Sequence, residues 1–153
     1  MKDKLIPYEP LHAMWIIENM IREEDFQLSK MPELEEYVFK WKEDGPAYTL
    51  AIKDEIILCG GVMLIGWQRG EAWTLFAKNF RKYPISCFKA CKWVIAEAIR
   101  EHKLRRVQAV IEPCIDRARE FIERLGFTQE GTLRRFGPEG EDFAMYAKIV
   151  EEF

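Results

Sequence analysis

The sequence predicts a mixed α/β fold: a largely antiparallel sheet with a central parallel strand pair, flanked by helices. Three observations carry this. The hydrophobic period changes near residue 46, from helical spacing before it to strand-like runs after it. EAWTLFAK (71–78), a long helical stretch and RVQAVIE (106–112) form a strand–helix–strand unit, which makes those strands parallel through a right-handed crossover. Two final strands, about 128–136 and 142–150, are divided by the turn GPEG.

In chain order, Leu11, Met14 and Trp15 recur at helical spacing after Pro10 and predict a first helix. MPELEEYVFKWKED (31–44) predicts a second, with Pro32 and Glu33 in its first turn and Tyr37, Val38 and Trp41 on one face. Gly45 and Pro46 close it. AYTLAIK and EIILCGGVMLIGW read as strands joined by a tight turn at Asp54-Glu55, and Gln68-Arg69-Gly70 sets off a third strand, GEAWTLFAK. The helix over 85–102 carries Phe88, Cys91, Ile95, Ala98 and Ile99 as its apolar stripe. IDRAREFIERLGF (115–127) is a helix with Ala118, Phe121, Ile122 and Leu125 inward and Gly126 just past its end.

The 153 residues suit one domain over 1–153 with its own core. A net charge of −3 argues against a general nucleic-acid binder. The longest apolar run, IILCGGVMLIGW, has 12 residues, short of the ~18 that suggest a membrane span. No secretory signal is visible at the start. Cys59, Cys87, Cys91 and Cys114 form no CxxC pair, and His12 and His102 stand far apart, so no zinc site or disulfide framework follows. Free thiols in a reducing cytoplasm are the simplest reading.

One stretch stands out by charge. KNFRKYPISCFKACK (78–92) carries five basic residues, Lys78, Arg81, Lys82, Lys89 and Lys92, and no acidic one. Pro84 sits where a helix is about to start; it pre-sets φ for the first turn but removes one N–H donor.

RAREFIERLGF (117–127), followed by TQEGTLRRFG, together with AIREHKLRRVQAVI (98–111), resembles the GNAT N-acetyltransferases over roughly residues 47–150. The pattern GEAW, a helix, then HKLRRVQA is similar to phage and prophage members of that superfamily, some of them virion components. The resemblance implies acetyl-CoA or CoA as cosubstrate, an amine or peptide acceptor, direct acyl transfer and no metal. It leaves a homodimer open and implies no membrane or nucleic-acid partner.

In the family a glycine-rich loop before the long helix holds the cofactor pyrophosphate on its amides, as helix N-termini hold anions generally. The corresponding residues here are Arg81, Lys82, Tyr83, Pro84, Ile85 and Ser86. Arg81 matches the first position; Pro84 and Ser86 replace the two small residues. The resemblance assigns cofactor binding to Arg81, Lys82, Tyr83, Ile85 and Ser86, and to the backbone of Leu75, Phe76 and Ala77 along the pantetheine arm. An ordinary solvated helix start is the plainer alternative for the basic residues. Many members carry an asparagine and, seven residues on, an acidic tyrosine in the late helix; Ile115 and Ile122 stand there. Thiolate can leave without an acid, since a thiol pKa is about 8.5.

Acyl transfer to an amine needs a proton acceptor. Glu71 opens one strand of the parallel pair and Glu112 ends the other, so both are candidate bases where the strands diverge, and both also suit solvated strand ends. Cys114, at a strand-to-helix junction, is a candidate thiol or a small buried hydrophobe; Cys87 and Cys91 suit core packing. Trp67 and Trp73 line a substrate groove or pack in the sheet. Residues 18–44 hold nine acidic and four basic side chains, which suits a cationic acceptor or plain solvated helices. The first function expected is N-acyltransfer; the second is a GNAT-shaped binding or structural module, phage-derived, without catalysis.

Overall fold

The computed structural model describes residues 3–19, 34–112 and 116–151. Pro32, Glu33, Cys114 and Ile115 lie outside the described residues. The elements are β1 Asp3–Pro7, α1 Pro10–Glu18, α2 Leu34–Glu43, β2 Ala47–Ile52, β3 Glu55–Gly66, β4 Arg69–Phe76, a 3-10 turn Lys78–Lys82, α3 Pro84–His102, β5 Arg106–Ile111, α4 Asp116–Arg124, β6 Thr128–Leu133 and β7 Phe143–Ile149. The strands form one sheet in the order β1-β2-β3-β4-β5-β7-β6. Every neighbouring pair is antiparallel except β4 and β5.

Strand alternation sends each side chain to one of two cores. On one face Leu58, Val62, Ala72, Phe76, Val107 and Ala109 pack under α3 and α4. On the other Cys59, Trp73, Leu75 and Ala77 pack under α1 and α2 with Tyr8, Ile16, Val38 and Trp41. Within β3 the run Ile57–Val62 is apolar on both faces because it is buried on both. Its Gly61 admits no side chain: a Cβ there would lie 2.4 Å from the Pro46 carbonyl oxygen.

Several expectations change. The strand β1 was not anticipated; it pairs antiparallel with β2, Leu5 opposite Leu50. The tight turns sit one or two residues earlier than predicted. Lys53 and Asp54 (φ 52° and 63°) make the β2–β3 turn, and Trp67 and Gln68 (φ 54° and 56°) the β3–β4 turn. Paired positive φ is the turn geometry that matches strand twist. Helix α1 turns the other way from the predicted stripe. Ala13 and Ile16 are buried, while Leu11, Met14 and Trp15 are exposed. In α2, Val38 and Trp41 are buried and Tyr37 is exposed. In α3 the buried stripe is Cys87, Ala90, Cys91, Val94, Ile95 and Ala98, while Phe88 and Ile99 are partly buried against the same core. The end of α4 is as expected. Gly126 (φ 93°) follows it, and the amides of Gly126 and Phe127 donate to the carbonyls of Glu123 and Ile122 at 3.0 and 3.2 Å.

Candidate active site

The site is built on a fork in the sheet. Strands β4 and β5 pair only over Arg69–Glu71 and Arg106–Gln108. Beyond Glu71, β4 continues to Phe76 along β3, while β5 continues to Ile111 along β7. The two therefore diverge, and among the described residues the β5-facing edge of β4 has no strand partner from Ala72 onward. The Ala77 amide donates to the Ile57 carbonyl at 2.9 Å. In an antiparallel pair such bonds recur at every second residue. Leu75 thus shares the β3-facing orientation of Ala77, and the backbone groups of Thr74 and Phe76 face into the fork. Of the three backbone positions assigned to a pantetheine arm, Phe76 presents its N–H and C=O to the opening. An extended amide-bearing chain laid there could bond to Thr74 and Phe76 as an added strand does.

At the root of the fork stands Glu71, half-buried. Alternation puts it on the face of Trp73 and Leu75. Gln108 lies directly opposite in register, and its Nε2 donates to Glu71 Oε1 at 3.2 Å. Glu112 follows β5 by one residue, about 13 Å further along at ~3.3 Å per residue. It is half-buried and level with Leu75 across the opening. The two carboxylates therefore occupy opposite ends of the fork.

At its mouth stands the start of α3. Pro84 is the first helical residue, and the first i→i−4 bond runs from the Cys87 amide to the Tyr83 carbonyl at 3.0 Å. The Ile85 and Ser86 amides precede that bond, so they are the turn's donors to an anion. Lys78, Arg81, Lys82 and Lys89 are exposed around it, with the Arg81 guanidinium 5.8 Å from the Phe80 ring centre. The Ser86 hydroxyl donates to the Asp3 carboxylate. An internal anion thus sits at the positive end of α3. Sequence reasoning missed Asp3 because it missed β1.

The α3–α4 side of the fork is walled by aromatic rings. Phe76 lies 4.9 Å from Phe80 and 5.8 Å from Phe121, and Phe121 lies 6.1 Å edge-on from Phe88. Ile122 is buried among Leu125, Phe127 and Tyr146. Its register therefore offers packing and no proton donor. Ile122→Tyr is expected to overpack that core and lower stability by ~1–3 kcal/mol, read as a fall in the urea midpoint. An unchanged midpoint would show that the phenol finds room toward the fork.

The remaining candidates sit in turns and in the cores, with Trp73 two residues along β4 from Glu71 on the same face. Trp67 is exposed at the tip of the β3–β4 turn, with the Arg69 guanidinium 5.0 Å above its ring. Trp73 is six residues away, stacked on Trp41 at 4.3 Å, so the two do not line one groove. Cys59, Cys87 and Cys91 are buried, and burial pushes each thiol up to about 12. They are packing residues and poor nucleophiles. His12 Nδ1 accepts the Glu9 amide at 3.1 Å and lies 2.7 Å from Thr49 Oγ1, so its imidazole caps α1. Among the described residues no group of His, Cys, Asp and Glu could hold a metal ion, and no helix is long and apolar enough to cross a membrane.

No protein-family model matches the chain, and no curated protein sequence matches it significantly. Solved structures do. The ribosomal-protein-S18-alanine N-acetyltransferase of Escherichia coli superposes with a TM-score of 0.74 at 11% identity, covering 99% of this chain and 96% of that one. A ribosomal L7/L12 α-N-protein acetyltransferase in complex with coenzyme A gives 0.76 at 14% identity, over 99% and 96%. A GNAT-family acetyltransferase of Bacillus anthracis gives 0.72 at 16% identity, over 99% and 97%. Each superposition covers 99% of this chain: it has the GNAT acetyltransferase fold.

Proposed function

We propose that the domain is an acyl-CoA-dependent N-acyltransferase that takes acetyl-CoA as donor and passes the acyl group directly to an amine. The observation that supports this best is the fork, with Glu71 at its root and the start of α3, ringed by basic residues, at its mouth. A thioester arm lying along β4 would place its phosphates at Arg81, Lys82, Ile85 and Ser86 and its carbonyl near Glu71. The solved structures of like fold include enzymes acting on protein N-terminal amines, and we extend that acceptor class to this chain.

The chemistry needs few groups. The amine nitrogen attacks the thioester carbonyl, a C–N bond forms, the C–S bond breaks and CoA leaves as thiolate. Glu71, directly or through one water, takes the proton that the amine loses. Glu112 stands too far along β5 to share that proton with Glu71, and suits contact with the cofactor arm or acceptor. The thiolate departs without a tyrosine acid.

A second reading is favoured by three specific features: Pro84 without an N–H, Ser86 engaged by Asp3, and Ile122 in the core. A phage-derived GNAT-fold module that binds its ligand without catalysis would tolerate all three.

Binding tests the common part. Acetyl-CoA should raise the melting temperature in a saturable way, because a ligand of the native state stabilises it. No shift and no calorimetric heat at millimolar acetyl-CoA would overturn the acyltransferase and a CoA-binding module alike, leaving a structural module. Asp3→Asn removes the anion that competes at the helix start, an effect of ~0.3–1 kcal/mol, and should tighten CoA binding about two- to fivefold. Calorimetry at low salt reads it, and weaker binding by the variant would show that Asp3 supports the site.

A further inference from the structure

The polar groups beside Glu71 form one connected line across the sheet. Arg106 pairs with Glu130 of β6 through both terminal nitrogens, at 2.9 and 2.6 Å. Its remaining nitrogen, Nε, donates to Gln108 Oε1 at 3.1 Å. The Gln108 amide then donates to Glu71 Oε1 at 3.2 Å. The line runs from β6 over β7 to β5 and ends on β4, at the last paired residue before the fork opens. Arg106, Gln108 and Glu71 alternate onto the same face, away from the core under α3 and α4.

Each link fixes the next. A guanidinium held by a bidentate carboxylate has a set plane. With Oε1 bound to Arg106, the Gln108 amide must turn its NH2 toward β4, since an amide presents oxygen on one side and donors on the other. Glu71 then receives a donor on one oxygen, which sets the rotation of its carboxylate about the terminal bond, otherwise a broad torsion. Glu71 is the last residue of β4 with a strand on both sides, opposite Met63 of β3 and Gln108 of β5. An isolated structural contact would need only Gln108 and Glu71. The Arg106–Glu130 pair ties β5 to β6 across β7, and it also fixes the Gln108 amide in one orientation.

We infer that Gln108 is a positioning residue: it orients the Glu71 carboxylate toward the acceptor amine, and Arg106, anchored by Glu130, orients Gln108. This rests on the acyltransferase reading in which Glu71 accepts the proton. No electron or group passes along the line; it sets geometry alone.

The test is kinetic. Gln108→Met keeps the length of the side chain and removes its amide. Loss of orientation should cut kcat on the order of 10- to 100-fold, as small misplacements of reacting groups do, while the KM for acetyl-CoA and CoA affinity stay at wild-type values. On a Glu71→Gln background the same change should cost nothing more, because the residue acts through Glu71. Arg106→Lys, which keeps the charge and removes the Nε donor, should show a smaller loss in kcat of the same kind, and it decides the matter if Gln108→Met does not fold. Wild-type kcat in both variants, or a further loss on the Glu71→Gln background, overturns the positioning role while leaving the acyltransferase reading in place. A wild-type protein that turns over no amine overturns the acyltransferase reading first, and this inference with it.

Discussion

Replacing Trp41 by alanine is expected to lower folding stability by about 3–5 kcal/mol, the range for truncating a buried tryptophan. Trp41 is 6% exposed and is the main anchor of α2. Its ring stacks on Trp73 at 4.3 Å and 12°, and Trp73 meets Tyr8 edge-on at 5.3 Å. The Tyr8 hydroxyl closes the group by donating to the Val38 carbonyl at 2.8 Å. Such aromatic pairs contribute ~0.5–1.5 kcal/mol beyond their buried area. Among the described residues the indole N–H of Trp73 is buried without a partner, so ring packing and the Tyr8–Val38 hydrogen bond hold this cluster. Urea unfolding of the variant measures the loss. A change under ~1 kcal/mol would mean that the cavity collapses, contrary to the close packing expected of a core.

Glu71→Gln carries the largest expected effect on activity. Turnover should fall by ~10²-fold or more, the usual contribution of a positioned proton acceptor. Acetyl-CoA affinity should hold, since Glu71 is at the root of the fork and the basic residues are at its mouth. Gln keeps the shape of the side chain and can still meet the Gln108 amide, so the loss reads the carboxylate and not the packing. Steady-state kinetics with saturating acetyl-CoA measures it. Unchanged turnover would move the base elsewhere, with Glu112 the next candidate.

Much of the fold was legible because its central elements carry strong periods. The alternating strands of β4 and β5 flank a long amphipathic helix, and that unit alone implies the parallel pair. The Schellman end of α4 was legible from one glycine after Leu125. Other elements gave no such signal. The strand β1 is five residues, Asp-Lys-Leu-Ile-Pro, too short for a period and closed by a proline that only an edge strand tolerates. The first helix misled because it is apolar on two sides: Leu11, Met14 and Trp15 have helical spacing, yet Ala13 and Ile16 are the residues that fit against the sheet.

The site divides in the same way. Glu71 and Glu112 could be found as carboxylates at strand ends, and the α3 start as a basic run broken by a proline. The side chains bonded to Glu71 and Ser86 could not. Gln108 lies 37 residues from Glu71, on the far side of a crossover helix, and parallel register is not written in either strand alone. Asp3 lies 83 residues from Ser86, in the strand that carried no signal. Ile122 was expected inward with Ala118, Phe121 and Leu125 and is buried, though that stripe alone does not say which edge faces a cleft.

The most direct test of acyl transfer is release of free CoA thiol from acetyl-CoA by the wild-type protein in the presence of peptides bearing free N-terminal amines. Thiol release is expected to require the amine, to saturate with acetyl-CoA and to be lost in Glu71→Gln. Acetyl-CoA that binds with measurable heat, yet releases no thiol with any acceptor in a broad amine panel, would contradict catalysis and leave a GNAT-fold binding module.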